Sequence, residues 1–139
     1  MNDSETRAVV GELYDAYRRR DFDRVAALIH DHIDWVIYAP MSVFAFAGPR
    51  RGRAAVLAAM AEIAASFALE SYEPRMSVVE DNRAALISDV SLRQRSTGRM
   101  LRLRIAGFLR WQDARLIEYR EFIDSFDAVE QTLGRELRL

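Results

Sequence analysis

The chain has 139 residues, half of them hydrophobic, with twenty basic and twenty-one acidic side chains and a net charge of −1. That is the size and balance of a single globular domain over residues 1–139, able to bury a core and without an apolar run of bilayer-spanning length. Cysteine and lysine are absent, which excludes thiolate nucleophiles, cysteine zinc sites, Schiff-base lysines and a P-loop lysine.

The acidic N-terminus does not read as a signal peptide, so a cytoplasmic protein is expected. With only His30 and His32 and no GxGxxG or GxSxG motif, neither dinucleotide binding nor a hydrolase triad is expected, and no cofactor is called for. Carboxylate, tyrosine, serine and arginine remain for chemistry.

In chain order, Asn2 or Asp3 caps a first helix whose Val10, Leu13, Tyr14 and Tyr17 share one face. Arg18-Arg19-Arg20 suits its C-terminal end, where cations meet the negative pole of the helix dipole. A short second helix starts at Asp21, with Phe22, Val25, Ala26 and Ile29 as its apolar face. "HIDWVIYAP" then changes period and reads as a strand ending at Pro40. Met41–Gly52 is expected as a loop, and a third helix from about Arg53 to Ser66 carries Val56, Met60 and Ile63 in register.

Everything after it alternates, with strands predicted near 68–80, 84–95, 100–111 and 115–124. "STGR" and "QDAR" are the turns between the last three, which makes them consecutive antiparallel hairpins. Asp124 or Ser125 caps a closing helix that ends before Gly134. The fold class is therefore α+β: three N-terminal helices packed in a strongly curved, mostly antiparallel sheet, giving a cone. Leu101, Leu103, Ile105, Gly107, Leu109 and Trp111 form the helix-facing side of one strand, and Gly107 suits a sharp bend there.

"YDAYRRRDFDRVAALI", "DWVIYAP", "GPRRGRAAV" and "LIEYREFIDSFDAVEQ", in this order, resemble the SnoaL-like branch of the nuclear transport factor 2-like (ketosteroid isomerase-like) superfamily. The resemblance spans almost the whole chain and implies a single SnoaL-like cone domain with a small-molecule pocket. The catalytic base of ketosteroid isomerases would fall at Ile37, their oxyanion-binding acid near Gly107 and their tyrosine at Leu13, beside Tyr14. The Asp–Arg–Asp set of limonene-type epoxide hydrolases would fall at Val90, Ser88 and Glu121, so only the last acid is retained. SnoaL-type polyketide cyclases require one acid–base carboxyl in an apolar cavity, and Glu121 supplies it.

By that register the pocket is lined by Leu13, Trp35, Ile37, Met60, Ser88, Val90, Leu103, Ile105, Tyr119 and Ile123, with Glu121 and Tyr17 as catalytic candidates. Phe44 or Phe46 closes the mouth. A carboxylate in such surroundings loses hydration, and its pKa rises toward the range useful for acid–base catalysis. Tyr17, Tyr119 and Ser88 are donors for a carbonyl oxygen gaining charge. The competing reading is that Glu121 pairs with an arginine or buried tyrosine and only fixes the core.

His30, His32 and Asp34 offer metal-ligand types, but a metal is not expected at what reads as an exposed junction. The arginine clusters at Arg50–Arg53 and Arg93–Arg104 alternate with acids, which reads as an ion-paired surface and not as a nucleic-acid or membrane footprint. The expected partners are a small apolar molecule and a second copy of the chain. The homodimer, implied by the resemblance, uses the outer sheet face, with Phe108 and Phe122 at its apolar centre.

Overall fold

A computed structural model describes residues 1–139, as four helices and six strands. Helix α1 (Asp3–Arg18) begins at Asn2, whose side chain accepts from Glu5 N while the Glu5 carboxylate reaches back, closing a capping box. Its buried face is Thr6, Val10, Leu13, Tyr14 and Ala16. Asp21 caps α2 (Phe22–Ala27), and β1 (Ile29–Tyr38) follows directly. Ile29, placed by sequence on the second helix, is the first residue of that strand. Helix α3 (Arg53–Ser66) passes straight into β3 (Phe67–Glu80), followed by β4 (Arg83–Gln94), β5 (Met100–Gln112) and β6 (Arg115–Ile123). Asp124 caps the closing helix α4 (Ser125–Leu133).

The expected loop Met41–Gly52 contains a strand, β2 (Gly48–Arg51), antiparallel to β1 with Trp35 opposite Arg50. Four residues are too few to show alternation, and Pro49 argues against a strand unless it lies on an edge. It does lie there. The sheet order is β2-β1-β6-β5-β4-β3, so Pro49 and Pro74 sit on the two edge strands, where a missing N–H costs no ladder bond. All neighbours are antiparallel except β1 and β6, which run parallel with Trp35 opposite Tyr119 and Ile37 opposite Glu121.

The sheet is curved and unclosed, an α+β cone with its helices on the concave side, where one core of 27 buried residues runs from Val10 to Val129. Register shifts between Leu69 and Ser71, Pro74 and Met76, and Arg110 and Trp111 mark bulges where the sheet bends. No helix is long and apolar enough to cross a membrane.

The outer face is charged. Asp89 takes Arg75 at 3.0 Å and Arg104 at 3.3 Å, and Arg120 holds Asp34 at 3.2 Å. Arg50 pairs with Glu62, Arg53 with Asp31 and Arg93 with Glu70, so both arginine clusters are drawn into ion pairs.

Candidate functional site

The concave side holds a partly open cavity of about 110 Å³ bordered by 23 residues. Helix α1 contributes Leu13, Tyr14 and Tyr17, and α3 contributes Met60 and Ile63. Strand β1 adds Trp35 and Ile37, and the loop after it adds Phe44 and Phe46, whose rings lie 5.7 Å apart. Strands β3 to β6 supply the opposite wall, including Tyr72, Val90, Leu103, Ile105, Tyr119, Glu121 and Ile123.

Ser88 does not border this space, although the sequence reading placed it there. It is 1 % exposed on the inner face of β4, opposite Ile105, on a strand that α1 packs against. A serine there meets protein and not a ligand. Asp89, one residue on, faces outward in its arginine pairs.

Glu121 is the one carboxyl at the cavity wall. Tyr119, two residues earlier on the same face of β6, donates its hydroxyl to Glu121 Oε1 at 2.7 Å. Surface area leaves Glu121 partly exposed because it borders the cavity, yet packed atoms surround the carboxyl closely enough to strip its hydration. Burial therefore pushes its pKa up to about 7, and the Tyr119 hydrogen bond pulls part of the way back. The core-fixing alternative is thus half realised: Glu121 is tied to a buried tyrosine, but the tie takes one carboxyl oxygen and leaves the other.

Tyr119 is itself held on two sides. Trp35 stacks on its ring at 4.2 Å, and Gly107 lies opposite Glu121 on β5 with no side chain to intrude. A Cβ on Gly107 would stand 3.3 Å from the hydroxyls of both Tyr119 and Tyr14. The glycine expected at a bend is thus also the space into which two phenols converge.

Tyr14 and Tyr72 were not singled out as wall residues by sequence. Tyr14 shares a helix face with Leu13, and the cavity is wide enough to meet both. Tyr72 and Leu69 both border the cavity although three residues apart, because the bulge between them resets the alternation. Tyr14, Tyr17 and Tyr72 form a ring cluster with centroids 5.5 and 5.9 Å apart. Burial pushes all three hydroxyls up, as it does Tyr119, so they remain neutral donors. At Tyr17 the Arg20 guanidinium, 4.9 Å above the ring, partly opposes that shift.

His30 and His32 lie apart from this site, near the start of β1. His30 Nδ1 accepts from His32 N at 3.0 Å, while Asp34 is taken by Arg51 and Arg120. No group of three metal-ligating side chains gathers in the structure.

The profile of the SnoaL-like domain matches residues 10–119. A solved structure of a candidate isomerase from Rhodopseudomonas palustris is 36% identical, superimposes with a TM-score of 0.85, and covers 97% of this chain and 100% of its own. An NTF2-like protein from Burkholderia xenovorans is 23% identical over 95% of this chain and 98% of its own, with a TM-score of 0.82. An LEH-like epoxide hydrolase from M. tuberculosis shares the fold at 14% identity, covering 95% of this chain and 92% of its own, with a TM-score of 0.77. No functionally curated protein matches the chain.

Proposed function

Because this chain belongs to the SnoaL-like domain family, we propose that its cavity binds a small apolar carbonyl compound and moves a proton on it through Glu121. The observation that carries this is a desolvated carboxyl, tied by one oxygen to Tyr119, at the wall of an otherwise apolar and phenolic cavity. A carboxyl with a pKa near 7 exists in both protonation states at neutral pH, as an acid–base catalyst must.

The free Glu121 oxygen takes a proton from the carbon next to the carbonyl, and the C–H electron pair moves onto the carbonyl oxygen. Tyr17 is the proposed donor to that oxygen, with Tyr14 beside it, since both border the cavity and stay neutral. Returning the proton to a different carbon completes an isomerisation. Attack of the enolate carbon on a second carbonyl of the same molecule forms a C–C bond instead, and the Glu121 proton passes to the new alkoxide, as in an aldol cyclisation. Leu13, Trp35, Ile37, Met60, Val90, Leu103, Ile105 and Ile123 hold the substrate by apolar contact and keep water out.

The second reading is a non-catalytic module that holds a small ligand or serves as a partner-binding dimer. It is favoured by the absence of a second carboxyl or a histidine at the wall to complete a relay. Glu121→Gln separates the two. It keeps the shape and the acceptor for Tyr119 but cannot carry a proton. Deuterium exchange next to the carbonyl of a cyclic ketone in D2O should fall about 10²- to 10⁴-fold with binding retained; undiminished exchange would sink the acid–base role.

The proposed protein partner is a second copy, through the outer sheet face. Tyr38, Phe108 and Phe122 stand 45, 49 and 47 % exposed there, with Phe122 stacked on Tyr38 at 4.7 Å and edge-on to Phe108 at 5.8 Å. An aromatic cluster this exposed, ringed by ion pairs, has the apolar-centre, polar-rim pattern of an interface.

A further inference from the structure

We propose that the ligand of this cavity is a single ring that carries a polar oxygen and no negative charge, and that fused-ring and anionic compounds are excluded. This rests on the cavity being the ligand site, and it narrows the substrate class by size and by charge.

Size is the first constraint. The cavity holds about 110 Å³, less than the roughly 150 Å³ of an engineered protein cavity that takes benzene. A second fused ring does not fit within that volume and would have to project through the mouth, out of contact with the apolar wall. Much of the wall resists retreat, because Trp35, Ile37, Met60, Val90 and Leu101 are buried members of the core, and protein interiors are close-packed. Eight of the 23 bordering residues are aromatic, so the shape that remains suits a flat ring.

Charge is the second. The wall contains no arginine or histidine, the chain has no lysine, and Glu121 is the only carboxyl. An anion would be stripped of water, given no cation and set against a carboxylate in a low-dielectric space. An ammonium, by contrast, would meet the ionised Glu121 and aromatic ring faces, so the wall does not exclude cations. A neutral ring with a carbonyl or hydroxyl oxygen asks only for the phenols that are present.

Three probes of related shape test this by titration calorimetry at about pH 8, where Glu121 is mostly ionised: 2-cyclohexenone, benzoate and 1-tetralone. Saturable binding of 2-cyclohexenone is expected, with each of the others weaker by at least about tenfold, or 1.4 kcal/mol. No saturable binding of 2-cyclohexenone, or any other probe within tenfold of it, overturns the proposal. Leu103→Ala removes wall atoms, so tetralone should gain at least about tenfold; no gain means that volume is not what excludes it. The deuterium exchange described above is read separately. Selective binding without exchange removes the catalytic reading and leaves this one standing.

Discussion

Tyr119 donates to Glu121 Oε1 at 2.7 Å from two residues away on the same strand face, so one side chain sets the chemistry of the other. The bond favours the ionised carboxyl and holds its pKa below where burial alone would put it. Tyr119→Phe keeps the ring on Trp35 and removes the donor. The Glu121 titration, followed by carbon-13 NMR of labelled glutamate, should move up from about 7. An unchanged midpoint would show that the hydrogen bond does not tune the acid.

Glu121 should also govern how stability depends on pH. Its folded pKa, about 7, lies above its ordinary 4.5, so the folded state binds the extra proton between those values. The contribution of this group is therefore most favourable below about pH 4.5 and declines as pH rises through 7, by roughly 3 kcal/mol at most. Glu121→Gln should flatten that decline and leave the variant more stable than wild type at about pH 8. Parallel urea-melt curves across the window would refute this.

Gly107→Ala places a methyl 3.3 Å from Tyr119 Cε1, Tyr119 Oη and Tyr14 Oη, closer than ordinary contact. Overpacking of this kind costs about 1–3 kcal/mol, measurable as a lower urea midpoint. Pushing Tyr119 off Glu121 should also raise the Glu121 pKa, as Tyr119→Phe does. A loss of stability with no change in titration would mean that Tyr14 alone gives way.

Phe122→Glu puts a charge at the centre of the exposed aromatic cluster. Wild-type protein is expected to sediment as a dimer and this variant as a monomer with unchanged circular dichroism. A monomeric wild type removes the proposed interface.

The hairpin joining β5 and β6 turns on Asp113 and Ala114, at φ 52° and 60°. Left-handed backbone suits glycine at the second turn position, whereas alanine pays for its Cβ. Ala114→Gly should raise stability by about 0.5–1 kcal/mol, read as an increased Tm; a lower Tm would mean that the greater freedom of the unfolded glycine outweighs the relief.

Much of this arrangement was legible in the residues. Alternation along "EYREFIDSFD" put Tyr119, Glu121 and Ile123 on one face and Glu118, Arg120 and Phe122 on the other, because that segment lies beyond the β6 irregularity and keeps strict period two. The helix starts were equally clear, since Asn2, Asp21 and Asp124 all cap as their chemistry predicts. What escaped depended on tertiary context. Strand β2 is too short to show a period, and its proline is tolerated only because β1 leaves it an outer edge. Tyr72 was hidden by a bulge that no local pattern announces. Ser88 points inward as expected, but whether an inward residue meets ligand or helix depends on where α1 lies.

The parallel pairing of β1 with β6 also determines when the cavity can exist. Arg120 donates to Asp34 O across 86 residues of sequence, and the Trp35–Tyr119 stack spans the same seam. Until β6 has been synthesised and docked, Trp35 has no Tyr119 to lie on and Glu121 has no wall to join. Closing so long a loop is slow relative to forming the β3–β6 meander. The binding site is therefore a late product of folding. In stopped-flow refolding, uptake of a cavity ligand should lag behind the appearance of sheet structure, and simultaneous appearance would refute the order.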